Sequence, residues 1–265
     1  MTNHRFFALL RLVNCVTKNL LKGVSIRLNH KRSLYYGIIL FHISKLFSLS
    51  TSSLNLIKNN YLRESDIFMR SFWETYVNLV YICQEPEKRS SQFHLDELQK
   101  YLQRRKVLLK YDKEFKETLK GQIKQTQAEI VELKKRLKSI DPHTNYEKFK
   151  WKNISIEHKS NELQLNKEYE VLYRSWSELI HASSTTGQDY LRIENNCAKA
   201  IIPFDFNDEM IPHRLLFLSQ YLIDALALVY KEYEFNSENE LLNEEIIDSL
   251  VNHFNNLNPV IQQNG

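Results

Sequence analysis

Only five glycines and five prolines punctuate the 265 residues of this chain, and that scarcity limits its fold more than any other feature. Sandwiches, propellers and doubly wound sheets turn often, and tight turns lean on glycine and proline for their backbone angles. A chain so poor in both has long elements and few reversals. Its 43% hydrophobic and 12% aromatic residues are ample for a core and exclude global disorder. The expectation is an all-α helical bundle with a long projecting helix or an antiparallel helical arm, and at most one short extended piece.

Apolar spacing divides the chain into segments. A first amphipathic helix is expected over 4–22, ending near Gly23, and a second from Ser33 to Ser48. The Ser/Thr cluster Ser48 to Ser53 reads as a connection or cap. A third helix runs from Leu54 to Cys83 and stops at Glu85-Pro86. Beyond it, Leu98, Leu102, Leu109, Leu119, Ile123, Ile130, Leu133, Leu137 and Ile140 recur in steps of three and four, interrupted by Arg105, Asp112, Lys116 and Thr126. This pattern predicts one helix longer than thirty residues within 92–141, ended at Asp141-Pro142. An unbroken helix over 95–140 would be about 65–70 Å long. It must project, or fold back on a second helix for which residues 145–183 are a candidate; the expectation is an antiparallel arm or a dimerisation element through which a second copy or a partner protein binds. Further helices are expected over 165–183, 207–234 and 238–256, with an irregular stretch at 190–206. The domain organisation read from this is 1–91, basic helices and a first motif helix; 92–164, the arm; 165–256, a second motif helix and acidic helices; and 257–265, a disordered tail.

Charge is unevenly distributed. No acidic residue precedes Glu64, and residues 1–63 carry ten basic ones; from Glu232 onward there are seven acids and no Lys or Arg. A basic face suits RNA, DNA or nucleotide phosphates, although ends of opposite charge also attract each other. The most apolar window, Tyr35 to Leu49, is interrupted by His42 and Lys45 and is too short to cross a bilayer, so no membrane association is expected. Three widely spaced cysteines, Cys15, Cys83 and Cys197, give neither a disulfide framework nor a zinc pattern. They fit a reducing cytoplasm, as packing residues rather than nucleophiles.

Two apolar segments carry polar stripes. In Ile67 to Ile82, the residues Arg70, Glu74 and Asn78 recur every fourth position, about 40° apart on a helix, with apolar residues on nearly every other side. Such a stripe is expected to be buried, and a buried charge needs a partner. In Tyr173 to His181, the residues Tyr173, Ser177, His181 and Arg174 fall within an arc of about 100°. An arginine can bind phosphate oxygens while an imidazole exchanges a proton near neutral pH. The plainer alternatives are a self-satisfied Arg70–Glu74 pair and a histidine capping its own helix. The two stripes are expected to pack against each other, each satisfying the other's polar groups.

The order Arg70-x3-Glu74-x3-Asn78-Leu-Val-Tyr81-Ile82, followed by Tyr173-x3-Ser177-x3-His181, resembles the helical domain of unknown function numbered 5677. The resemblance covers about residues 50–185 and implies a fold rather than an activity. In addition, Arg174-x6-His181 is similar to the Arg-x4-to-6-His signature of the HEPN superfamily of all-helical ribonucleases. In that signature Asn or Asp often follows the arginine; Ser175 stands there in this chain. This second resemblance implies metal-independent RNA cleavage, a homodimer that brings Arg and His together across an interface, and a role as toxin or antiviral effector.

Other chemistry finds no support. Nine scattered histidines form no metal-ligand pattern, and no Gly-rich phosphate loop or cofactor motif occurs, so neither metal nor cofactor is expected. Ser177 and His181 lack the acid and oxyanion motif of a hydrolase triad. Trp73, Trp151 and Trp176 read as core residues. Three readings follow. The first is an endoribonuclease with Arg174 and His181 catalytic, and Arg70, Glu74, Asn78, Tyr173 and Ser177 in support. The second is a non-catalytic module binding a ligand or partner protein between the motif helices. The third is a scaffold whose polar network only fixes helix register.

Overall fold

The computed structural model describes residues 3–24, 32–111, 114–180, 191–194, 197–200, 210–232 and 243–262. Ten α-helices are described: α1 (Asn3–Gly23), α2 (Ser33–Lys58), α3 (Leu62–Gln84), α4 (Pro86–Tyr111), α5 (Lys116–Ile140), α6 (Ile156–Glu162), α7 (Asn166–Glu168), α8 (Arg174–Ile180), α9 (Ile211–Glu232) and α10 (Glu244–Gln262). A 3-10 turn at Trp151–Asn153 precedes α6, and one π-helical turn, Tyr169–Tyr173, joins α7 to α8. The fold is all-α, as the shortage of turn formers predicts. Its extended part is a hairpin of two strands rather than one: β1 (Leu191–Glu194) pairs antiparallel with β2 (Cys197–Ala200), Leu191 opposite Ala200.

The central element is α3, which packs against α2, α4, α6, α8 and α9. Twelve of its 23 residues are buried, among them Phe72, Trp73, Val77, Leu79 and Ile82. Aromatic rings fill the join with α9: Trp73 meets Tyr221 edge-on at 5.0 Å, and Trp176 of α8 meets Phe217 edge-on at 5.0 Å. Trp73, Trp151 and Trp176 are all buried, as expected. At the ends of the chain, α1 packs on both α9 and α10.

Three boundaries differ from the sequence expectation. The Ser/Thr cluster lies inside α2 instead of ending it: Ser50 and Ser53 are buried in the bundle, and Ser50 Oγ donates to Asn14 Oδ1 of α1 at 2.9 Å. The chain reverses later, at Asn59-Asn60, where Asn60 takes a left-handed conformation, φ 60°, that asparagine tolerates well. The lengthened α2 is long and apolar enough, by length and composition, to cross a membrane. In this fold it lies against α1, α3, α4 and α9. Its His42 is buried beside Phe93 and pairs with the Ile38 carbonyl at 2.7 Å, and burial pushes the imidazole down to about 4, leaving it neutral at pH 7.

The second difference is the arm. The expected single helix within 92–141 is two, α4 and α5, which fold into an antiparallel hairpin. An unbroken helix would leave its apolar stripe in water. Reversal between Tyr111 and Lys116 lets Ile130 and Leu133 cover Leu95, Leu98 and Leu102, with Leu137 and Tyr146 closing the base. Lys116, one of the polar interruptions of the seam, opens the returning helix. Residues 145–183 are therefore not the return partner of the arm; Trp151 and α6 instead join the network on α3. The third difference is at the C-terminus, where α10 continues to Gln262 through much of the segment expected to be a disordered tail. Ile247, Leu250, Phe254 and Leu257 recur at helical spacing and hold it to the main core. The cysteines also depart from expectation: Cys15 and Cys197 are exposed, and only Cys83 is half-buried.

A hairpin held by one small apolar layer is sensitive to its loss. Leu137→Ala, at a fully buried position, is expected to destabilise the fold by about 2–4 kcal/mol in chemical denaturation. Val131→Ala, on the 67% exposed face of the same helix, is expected to change stability by less than about 0.5 kcal/mol.

Candidate functional site

Each residue of the first stripe meets a different segment of the chain. Near the middle of α3, Arg70 Nε lies 3.2 Å from Glu74 Oε1. The Tyr173 hydroxyl sits between them: it accepts from Arg70 Nη2 at 3.2 Å and donates to the same Glu74 oxygen at 2.8 Å. The guanidinium also lies 5.1 Å from the centre of the Tyr173 ring. Burial and the Glu74 carboxylate push the Tyr173 phenol above its ordinary range against the opposing pull of Arg70, so the hydroxyl keeps its proton. The Glu74 side chain remains 36% exposed, so the triad of charge, phenol and carboxylate stands at the edge of solvent.

One turn on, Asn78 Oδ1 accepts two hydrogen bonds, from Trp151 Nε1 at 3.1 Å and Lys159 Nζ at 2.7 Å. Lys159 is only 2% exposed, and its ammonium lies 4.3 Å from the centre of the Trp151 ring. Burial lowers this lysine to about 8, although Glu74 and Asp96 favour its charged form. Asp96, buried in α4, accepts from the Trp151 backbone N–H at 3.1 Å and pairs with Lys100 Nζ at 2.7 Å. Beside this network, Arg89 joins Glu85 to Glu162 of α6, donates to the Tyr81 carbonyl at 2.9 Å and lies over the Tyr81 ring at 3.6 Å. The polar seam therefore ties α3, α4, the Trp151 turn, α6 and the π-helical turn together. Lys159 is its least exposed cation, and the sequence reading missed it. Its neighbours Glu157 and His158 look like a solvated surface; the signal that could have found it is that the Asn78 acceptor, set between apolar residues and half-buried, needs donors from elsewhere.

The second stripe is only partly assembled. Its helix does pack against α3, and Tyr173 joins the Arg70–Glu74 pair. Ser177 is half-buried in α8. Arg174 turns away: it is 54% exposed, lies 3.1 Å from Glu170 and 3.9 Å from Glu157, and stacks over Tyr169 at 5.6 Å. It stands at the edge of the helical arc that it shares with Tyr173, where it reaches the surface carboxylates. His181 lies outside the described residues. Among the described residues, no three of His, Cys, Asp and Glu come together as a metal cluster would require.

A family model described as a family of unknown function (DUF5677) matches residues 36–199, which include both stripes and the arm between them. The chain belongs to that family. No curated protein matches the chain, and no solved structure does.

The lowered Lys159 makes stability depend on pH with a definite sign. An unfolded lysine holds its proton to about 10.4, so above about pH 8 the unfolded chain binds a proton that the folded chain has released, and stability rises with pH through that window. The half-buried Cys83 thiol, pushed up to about 12 by burial, acts the other way above about pH 9. Comparison with Lys159→Met cancels it, because Cys83 is present in both proteins. From pH 7 to pH 9.5 the stability of the wild type relative to Lys159→Met is expected to improve by about 1–2 kcal/mol. A difference that stays flat in urea titrations at the two pH values would mean that Lys159 remains charged.

Proposed function

We propose that this DUF5677 member is a metal-independent endoribonuclease of HEPN type, a toxin or phage-defence effector, with its active site where α3 meets α8. The observation that carries the reading is the Tyr173 hydroxyl bridging Arg70 and Glu74. It fastens the segment leading to His181 directly against the first polar stripe, on a partly exposed edge. His181 follows Ser177 by four residues in the sequence, continuing the line that Tyr173 begins. In the proposed reaction His181 takes the proton of a ribose 2′-hydroxyl, the O2′–P bond forms and the P–O5′ bond breaks. The His181 imidazolium returns that proton to the leaving 5′-oxygen, and the products are a 2′,3′-cyclic phosphate and a 5′-hydroxyl. Arg174 stabilises charge on the pentavalent phosphorus. Its two carboxylate contacts are half-exposed pairs of the kind worth at most about 1 kcal/mol each, so a phosphate displaces them readily. Arg70, Glu74 and Asn78 orient the reacting groups, with Tyr173 and Ser177 as supporting donors. The exposure of Arg174 also suits a homodimer in which it serves the His181 of the second copy.

A non-catalytic binding module is the second reading. It is favoured by the same Arg174 contacts, since an arginine flanked by Glu157 and Glu170 gives phosphate a weaker field than an unpaired one.

The deciding assay incubates purified protein with total RNA in EDTA. Wild type is expected to cleave, His181→Ala to lose cleavage at least a hundredfold, and Arg174→Lys to be impaired, because lysine lacks the planar two-pronged donor. Equal cleavage by wild type and His181→Ala removes His181 from the mechanism. Absence of cleavage by both favours the binding module.

A further inference from the structure

The α4–α5 hairpin carries a charge concentration that neither the site nor the core uses. Between residues 98 and 128 stand nine basic and three acidic residues, an excess of six in a chain whose whole net charge is +4. Arg104, Lys106, Lys110, Lys116 and Lys124 are exposed and make no ion pair among the described residues. Hydrophobic side chains stand among them. Tyr111 is 81% exposed, and Phe115, Val107 and Leu108 are each about half exposed. Arg105 already lies over the Tyr101 ring at 4.6 Å. Water-facing aromatics on a folded arm do nothing for the core, and like charges crowded on one tip repel.

We propose that the distal half of this hairpin is a binding surface for single-stranded RNA, whose phosphates the lysines and arginines neutralise and whose bases stack on Tyr111. The inference builds on the ribonuclease reading and supplies the substrate grip that its site lacks. Charge complementarity selects a polyanion. The placement of the cations selects a flexible one: on α4, Arg104 and Lys106 project about 200° apart, with Lys116 and Lys124 on the neighbouring helix. A flat anionic membrane meets one side of such an arm, whereas a strand wraps around it. The surface lies on a different part of the molecule from the acid-free N-terminal segment.

The test measures binding alone, by fluorescence anisotropy with a labelled single-stranded RNA of about 20 nucleotides, in a His181→Ala background so that the probe survives. Replacing Arg104, Lys106, Lys110, Lys116 and Lys124 with Gln is expected to weaken binding at least thirtyfold at low salt. The same change should lower the slope of log affinity against log salt by about three. Replacing Arg5, Arg11, Lys18, Lys22 and Lys45, all exposed, with Gln removes as much charge and is expected to have less than a third of that effect. Tyr111→Ala is expected to weaken binding about fivefold at a salt concentration where the charge term is screened. Circular dichroism of each variant checks that it is folded. Equal losses in the two charge variants, no RNA binding by the parent, or binding of anionic phosphatidylserine vesicles in place of RNA would each overturn the proposal. Arm-dependent RNA binding in a protein whose wild type cleaves no RNA would sustain it while removing the ribonuclease reading.

Discussion

A helix surrounded by protein cannot carry Arg70, Glu74 and Asn78 unless other segments bring polar atoms to them, and that requirement organises the rest of this structure. Leaving a buried charge or amide unpaired costs several kcal/mol, more than most single contacts contribute. Each residue of the stripe therefore recruits a different piece of chain: Tyr173 to Arg70 and Glu74, and Lys159 and Trp151 to Asn78. The segment after the arm is short of regular structure, with a 3-10 turn, a seven-residue helix and a π-helical turn in succession. Its path over α3 follows polar partners as much as apolar burial.

The same accounting separates structural from reactive groups. Lys159, Trp151 and Asn78 form a closed set, with both lone pairs of the Asn78 carbonyl engaged. Such a set fixes register and offers a ligand little. The Arg70–Tyr173–Glu74 cluster differs because solvent reaches the carboxylate. It also sits beside a π-helical turn, a local irregularity that recurs at functional sites.

The helical fold was legible because missing turn residues and three-four apolar spacing both report on the backbone directly. Boundaries were less legible where local chemistry points two ways. Ser48 to Ser53 carries the residue types of a cap, yet Ser50 is satisfied from α1 and the helix continues. The real reversal at Asn59-Asn60 has its own signal, a pair of asparagines. The arm was legible as a periodic pattern but not as a hairpin, since spacing records which face is apolar and not what covers it. In the site, the stripe Arg70, Glu74, Asn78 and its partner Tyr173 could be read from i, i+4 repetition. Lys159 could not, because its acceptor Asn78 stands 81 positions away in the chain. Arg174 shares the helical arc of Tyr173, but a helical wheel gives angles and not the surface acids Glu157 and Glu170 that the arginine meets.

The account stands most directly on the bridge made by Tyr173. A double-mutant cycle of Tyr173→Phe and Glu74→Gln, read by urea denaturation at pH 7, isolates the coupling between the phenol and the carboxylate. The predicted coupling is about 1–2 kcal/mol, appropriate to a partly buried hydrogen bond to a charged acceptor. Additive effects, agreeing within about 0.3 kcal/mol, would contradict it, because the two motif helices would then be held together without the polar junction on which the proposed site is built.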